Sequence, residues 1–180
     1  MKRSAKLKLF SIAGSVVLAL SGAGVVFSPA AQAATESICA APGNSYCWSQ
    51  PNTGNAIVLT DTTNIASFTP ESCEEIPAIG TEACKLVAVD GACVRAQYSL
   101  SKPLILDGCG GASEYSEYWF RVAYPGCGYD YWENAGYSIF AGENMIAEAA
   151  PVSQGKNIYM GDSYGSCSDS GSDANLWIWG

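Results

Sequence analysis

The chain has 180 residues, with eight cysteines, no histidine and a formal charge of −8. A surface this acidic repels phosphate backbones and anionic lipid, which argues against nucleic acid and membrane as partners. The missing histidine removes the usual base of serine-hydrolase chemistry and a common zinc ligand.

Met1 to Lys8 is a short basic head, Leu9 to Phe27 is apolar though broken by Ser and Gly, and Ala31-Gln32-Ala33 is a small-x-small cleavage pattern. Residues 1–33 therefore read as a cleaved export signal, and residues 34–180 as a single disulfide-rich β domain that works outside the cell. The signal carries Lys2, Arg3, Lys6 and Lys8, so the mature chain sets five basic residues against all seventeen acidic ones. A basic protein partner, itself exported, complements such a surface.

Beyond the signal, runs rich in Val, Ile, Tyr, Phe and Trp alternate with Gly, Pro, Asn and Asp, the signature of short strands and turns. Ala56–Thr60 is the first strand expected. Thr69-Pro70-Glu71 opens with a capping residue, Pro at the first helical position and acids, which predicts a short helix over Thr69–Ile76 closed by Pro77. Cys84–Val89, Asp90-Gly91 and Ala92–Tyr98 read as a hairpin with a two-residue turn, Val89 facing Ala92. That register puts Cys84 and Cys93 too far apart to be bonded to each other. Leu104–Leu106, Tyr118–Tyr124, Gly128–Trp132, Tyr137–Phe140, Asn157–Met160 and Leu176–Trp179 are the remaining strands, and Glu143–Ala150 is a second short helix closed by Pro151. The sum is an all-β, mainly antiparallel, sandwich-like fold with one or two short helices.

Cys39, Cys47, Cys73, Cys84, Cys93, Cys109, Cys127 and Cys167 all lie beyond the signal, and an even count in an exported chain reads as four disulfides. There is no C-x-x-C pair and no histidine to complete a zinc site, so no metal site is assigned. Nothing in the sequence calls for a cofactor.

Three motifs resemble catalytic ones. Gly161-Asp162-Ser163-Tyr164-Gly165 fits G-x-S-x-G, but without histidine it reads as a turn. Ser99-Leu100-Ser101-Lys102 fits S-x-x-K, yet its companion blocks are absent and Pro103 favours an extended segment over the helix that motif needs. Asp169–Asn175 offers oxygen ligands but lacks the closing Glu of a calcium loop, so it too reads as a polar turn.

The richest segment is 115–140, which holds ten aromatic residues among Glu117, Asp130 and Glu133, with Glu114 at its edge. Its strand Tyr118–Tyr124 alternates, one face for the core and the other presenting Trp119. Trp119 and Trp132, with Tyr118 and Tyr131 beside them and Glu117 and Glu133 as an acidic rim, are the candidate binding surface, because aromatics anchor interfaces. Aromatic rings beside paired carboxylates also suit a sugar site, with Glu117 or Glu133 as the acid of a glycosidase.

Trp48-Ser49-Gln50-Pro51-Asn52-Thr53-Gly54 after Cys47 is echoed by Trp132-Glu133-Asn134-Ala135-Gly136 after Cys127. In these two stretches the chain resembles the secreted βγ-crystallin-like proteins, which include inhibitors and toxins. The resemblance implies a β-sandwich that binds protein or calcium. The general profile is similar to the small adaptor subunits of secreted toxin assemblies. The function expected is a non-enzymatic binding module, an inhibitor or an adaptor in a toxin-type complex, with carbohydrate binding or cleavage as the alternative.

Overall fold

The computed structural model describes residues 35–41, 46–61, 64–110, 115–124, 128–162 and 177–179. The expectations for the signal, Glu114, Cys127, Ser163, Cys167 and the 169–175 turn fall outside these residues.

The described chain is antiparallel β throughout, with one helix. Strands β1 (Ile38–Ala40), β2 (Cys47–Trp48), β3 (Leu59–Thr60) and β4 (Phe68–Ile76) form a first group. Strands β5 (Thr81–Ala88), β6 (Ala92–Arg95), β7 (Ile105–Gly108) and β8 (Tyr118–Tyr124) form a second. The third contains β9 (Tyr129–Asn134), helix α1 (Ala135–Ala141), β10 (Ile146–Glu148), β11 (Tyr159–Gly161) and β12 (Trp177–Trp179). Outer strands of each group pair in a closed ring: β4 with β5, β5 with β8, β8 with β9, β9 with β12 and β12 with β1. Reciprocal hydrogen bonds between Glu36 and Phe68 complete the circuit just before β1. A closed ring leaves no barrel strand with an open edge along its whole length.

The inner hairpins β2–β3, β6–β7 and β10–β11 cover one end of the ring and meet on a pseudo-threefold axis. Three fully buried residues close a hydrogen-bonded loop there: Ile57 N–H donates to Leu104 O at 2.8 Å, Leu104 N–H to Ile158 O at 2.7 Å, and Ile158 N–H to Ile57 O at 3.2 Å. Apolar β-branched and Leu side chains at these positions bury the backbone donors and acceptors that would otherwise lack water, so the bonds must be made.

Around the same axis, Phe68, Trp119 and Trp177 occupy matching places in β4, β8 and β12, and none is more than 1% exposed. The Trp119 indole donates to Val94 O at 2.9 Å and the Trp177 indole to Ala147 O at 2.8 Å, the same bond in two groups. Trp48 stands where the other groups place Val94 and Ala147, and its ring meets Phe68, Trp119 and Trp177 edge-on with centroids 5.4–6.3 Å apart. One large and two small residues thus fill a space that three equal side chains would overfill or leave hollow.

Among the described residues, three disulfides join residues close in sequence: Cys39–Cys47 across β1–β2, Cys73–Cys84 across β4–β5, and Cys93–Cys109 from β6 to the end of β7. Cys84 is indeed not bonded to Cys93.

Several local expectations are corrected. Residues 69–76 form strand rather than helix: pairing from Phe68↔Ala88 to Ile76↔Thr81 and the Cys73–Cys84 bridge outweigh the helix-start signals. Pro70 is tolerated because this stretch of β4 has a neighbour on one side, and a bulge between Glu71 and Glu74 carries Ser72 at φ 50°. The hairpin after β5 pairs Val87 with Cys93, so its loop is the three residues Val89, Asp90 and Gly91, with Gly91 at φ 84° supplying the left-handed position that closes such a loop. Residues 143–150 contain β10 instead of a helix, and the expected strand 137–140 lies in α1. Ser99–Lys102 is a turn, Lys102 N–H donating to Ser99 O at 3.0 Å.

Candidate binding site

The turn from β9 to β10 is where the threefold pattern breaks, because it holds α1. Asn134 is the reason the chain turns into a helix here. Its Oδ1 accepts from Tyr137 N–H at 2.9 Å as an N-cap, while its Nδ2 donates to Ser116 O at 2.9 Å and Tyr118 O at 3.2 Å. Gly142 ends the helix in the left-handed conformation, with its N–H on Ser138 O. The Ser138 hydroxyl then accepts from Met145 N–H at 2.9 Å and leads the chain into β10.

Ala135 to Ser138 are buried, whereas Ile139 and Phe140 point outward, Phe140 with 66% of its surface exposed. Phe140 stacks on Tyr98 at 5.3 Å with the rings 9° from parallel, and Tyr137 meets both rings edge-on. The cleft beside this stack has a volume of 510 Å³ and is walled by Pro77, Ala78, Tyr98, Tyr115, Ile139 and Phe140. This volume lies within the range of small-ligand and side-chain pockets. A second hollow of 280 Å³ lies across the helix; Ala78 and Ile139 border both, and Glu143 lines only the smaller one.

Two backbone features hold the cleft open. Gly136 sits against the Tyr98 hydroxyl and the Tyr115–Ser116 peptide, where an added Cβ would come within 2.6 Å of the Tyr115 carbonyl carbon. Only glycine lets α1 approach that closely. Tyr115 itself has φ 62°, a costly conformation for a bulky residue, and its carbonyl accepts from both Tyr118 N–H and Gly136 N–H.

Behind the wall lies a charged layer. The Tyr115 and Tyr118 rings meet edge-on at 5.8 Å, and the Lys85 ammonium sits 5.2 Å above the Tyr118 ring while pairing with Glu117 at 3.0 Å. Burial, reinforced by a hydrogen bond to the Glu74 carboxylate, pushes the Tyr118 phenol up to about 12. Tyr137 is likewise raised by burial. On the far side of β8–β9, burial raises Asp130 while Arg121, 3.6 Å away, opposes the shift.

Five of the six side chains that the sequence put forward as a binding surface are buried. Trp119, Trp132 and Tyr131 are each at most 4% exposed, so none is available as a surface anchor. Trp119 and Trp132 belong to the main core, Trp132 packing on Trp179 at 5.0 Å. Tyr131 packs with Ala41 and Ile146. Glu117 is buried, accepting from Gly110 N–H with both oxygens and pairing with Lys85; Glu133 is 2% exposed. Neither carboxylate lines the cleft. Of the six chosen residues, Tyr118 comes nearest to it, one ring behind Tyr115. The sequence signal for the helix beside this cleft is Asn134 with Gly142 eight residues on, an N-cap and a C-terminal glycine around Ile139-Phe140.

Cys73, Cys84 and Glu82 lie close enough to hold a metal, but both sulfurs are consumed by the disulfide and offer no thiolate. The aromatic cleft is lined by ring faces and aliphatic side chains.

No protein-family model matches the chain, and no curated protein matches it. Among solved structures, it is similar to a designed threefold-symmetric protein, ThreeFoil, at 15% identity and TM-score 0.59, covering 80% of this chain and 96% of that one. It is also similar to the cytolethal distending toxin of Haemophilus ducreyi, at 12% identity and TM-score 0.57, covering 86% of this chain and 87% of the toxin chain. A third is the GlcNAcα1-4Gal-releasing endo-β-galactosidase of Clostridium perfringens, at 14% identity and TM-score 0.53, where 81% of this chain spans about a third of the enzyme, 31%. Together with the axial hydrogen-bond loop, these likenesses show a β-trefoil-like fold.

Proposed function

We propose that this chain is an exported, non-catalytic binding module that takes a protein partner at the cleft beside α1, as an adaptor in a toxin-type assembly or as an inhibitor. The observation that carries the reading is Phe140: a large aromatic left two-thirds exposed on a helix whose other residues are largely buried, stacked on Tyr98 over a formed cleft. Exposed rings over a pocket are typical interface anchors. The three disulfides are consistent with an oxidising compartment outside the cytoplasm. The likeness to a toxin chain over most of both lengths favours the adaptor form.

The test is Phe140→Ser compared with the native protein. Both would be used to capture partners from the producing organism's culture fluid, with mass spectrometry followed by titration of the purified partner. Loss of a hot-spot ring costs about 2 kcal/mol or more, roughly a 30-fold weakening. Equal affinity for both proteins would place the interface elsewhere. The carbohydrate alternative draws on the likeness to part of an endo-β-galactosidase. Binding on a glycan array that Phe140→Ser abolishes would select it instead.

A further inference from the structure

Strand β5 alternates, so Glu82 and Cys84 share one face, while Ala83 between them joins the apolar cluster of Ile76, Phe120 and Ala135. Cys73 reaches Cys84 from the bulge in β4. Both sulfurs and a carboxylate oxygen of Glu82 lie within 4.8 Å of one another. Glu75, directly across from Glu82, adds a second carboxylate to this face. Cys73 and Glu82 are exposed and Cys84 is buried, so the bridge can be attacked from the Cys73 side. The hairpin does not need the bridge to keep its register. Pairs stand on both sides of it, Glu71↔Lys85 and Glu74↔Ala83, and Ile76 and Ala83 are fully buried. Opening the bridge therefore leaves two sulfurs facing each other beside Glu82.

We propose that Cys73, Cys84 and Glu82 form a redox-gated site for a zinc-type divalent cation, closed while the disulfide stands and opened by a dithiol reductant. One thiolate of the reductant attacks the exposed Cys73 sulfur, and the bridge breaks with its electron pair leaving on the Cys84 sulfur. The second thiol of the reductant then displaces Cys73 and closes as a cyclic disulfide, so two electrons and two protons pass to the chain. Metal binding releases both protons, giving two thiolates and one carboxylate, with water as the fourth ligand. Donor atoms about 2.0–2.3 Å from a zinc ion lie less than about 4 Å apart, so small side-chain rotations bring this set into place. Two thiolates beside Glu75 and Glu82 repel one another, and a bound dication relieves that repulsion. The chain then takes up metal in a reducing compartment and not in an oxidising one, whatever binds at the cleft.

The test compares protein produced from the full-length chain with its Cys73→Ser, Cys84→Ser double variant, which keeps every other cysteine. Each is treated with an immobilised dithiol, freed of it, and titrated with Zn²⁺ and with Co²⁺, whose thiolate charge-transfer absorption reports sulfur ligation. Alkylation followed by peptide mapping shows which bridges have opened. The reduced native protein should hold one more metal ion per chain than the reduced double variant, and the two should not differ before reduction. Glu82→Gln should weaken the extra site by at least about tenfold. Glu82 is exposed, so this variant keeps the fold and carries the test even if the double variant melts early. Equal metal content in the two reduced proteins would overturn the proposal. So would a Cys73–Cys84 bridge that the dithiol leaves intact, or an affinity that Glu82→Gln does not change.

Discussion

The turns after β5 and after β9 occupy equivalent places in the threefold pattern, yet they could hardly differ more. The first is three residues long, Val89 to Gly91, and Asp90 Oδ1 accepts from Ala92 N–H to close it. The second runs from Ala135 to Met145 and contains a capped helix, the aromatic stack and the walls of two hollows. Equivalent strands on either side are buried and mutually hydrogen-bonded, as the repeated indole-to-carbonyl bonds of Trp119 and Trp177 show. Positions that obey the threefold rule carry the fold, and the place that departs from it carries the candidate site.

That contrast can be broken most directly at Trp119. Trp119→Ala should lower stability by about 3–5 kcal/mol, because it removes a buried ring and leaves Val94 O without its donor. Phe140→Ser, a ring deletion of similar kind, should stay within about 0.5 kcal/mol on the same denaturant curve. Equal losses would mean that α1 belongs to the frame. Replacing Cys93 and Cys109 with Ala opens a link across 16 residues and should cost about 3 kcal/mol, while leaving partner binding at the cleft, which neither cysteine lines, unchanged once the protein is folded.

Gly136→Ala sharpens the boundary between the two regions. The added methyl meets backbone at Tyr115 and Ser116, which cannot swing away as a side-chain tip can. A cost of about 1–3 kcal/mol is expected, with loss of cleft binding and a changed near-ultraviolet tyrosine signal. A native-like spectrum with native affinity would mean that α1 shifts freely. The smallest effect concerns pH. The Tyr118 phenol is raised when folded, so its contribution is full below about 10 and is lost as pH climbs toward about 12, where the folded form also ionises. Alkaline titration by ultraviolet absorbance should show late-titrating tyrosine, part of which Tyr118→Phe removes.

Much of this frame was legible in the residues. Tyr118–Tyr124 reads as a strand and is one with the same ends, because alternation of large rings suits a pleated surface whichever way it faces. Alternation could not reveal that both faces are covered. Trp119 faces the main core, while Phe120 meets a second cluster with Ile76, Ala83 and Ala135, formed by two strands and a helix from elsewhere in the sequence. The same distance hides the rest. Thr69-Pro70-Glu71 is locally a helix start, and only its partners Val87, Leu86 and Lys85 make it strand. The echo between Trp48 and Trp132 was a coincidence of composition. Trp48 lies on β2 and Trp132 on β9, whereas the residues that match Trp48 are Val94 and Ala147, which share no chemistry with it beyond being apolar. A repeat kept in backbone pairing and lost in side chains cannot be read from letters.

The closed loop of Ile57, Leu104 and Ile158 also sets an order of assembly. Each of the three disulfides among the described residues joins cysteines 8, 11 or 16 residues apart, so their oxidation can follow the chain as it emerges. The axial loop instead needs a residue from every group, and the ring of strands shuts only when Trp177–Trp179 reaches Ile38–Ala40. Closing contacts between such distant segments is slow. Until then the bridged hairpins expose the apolar surfaces that will meet on the axis, and it is the last strand, rather than any of these three disulfides, that ends their exposure to aggregation.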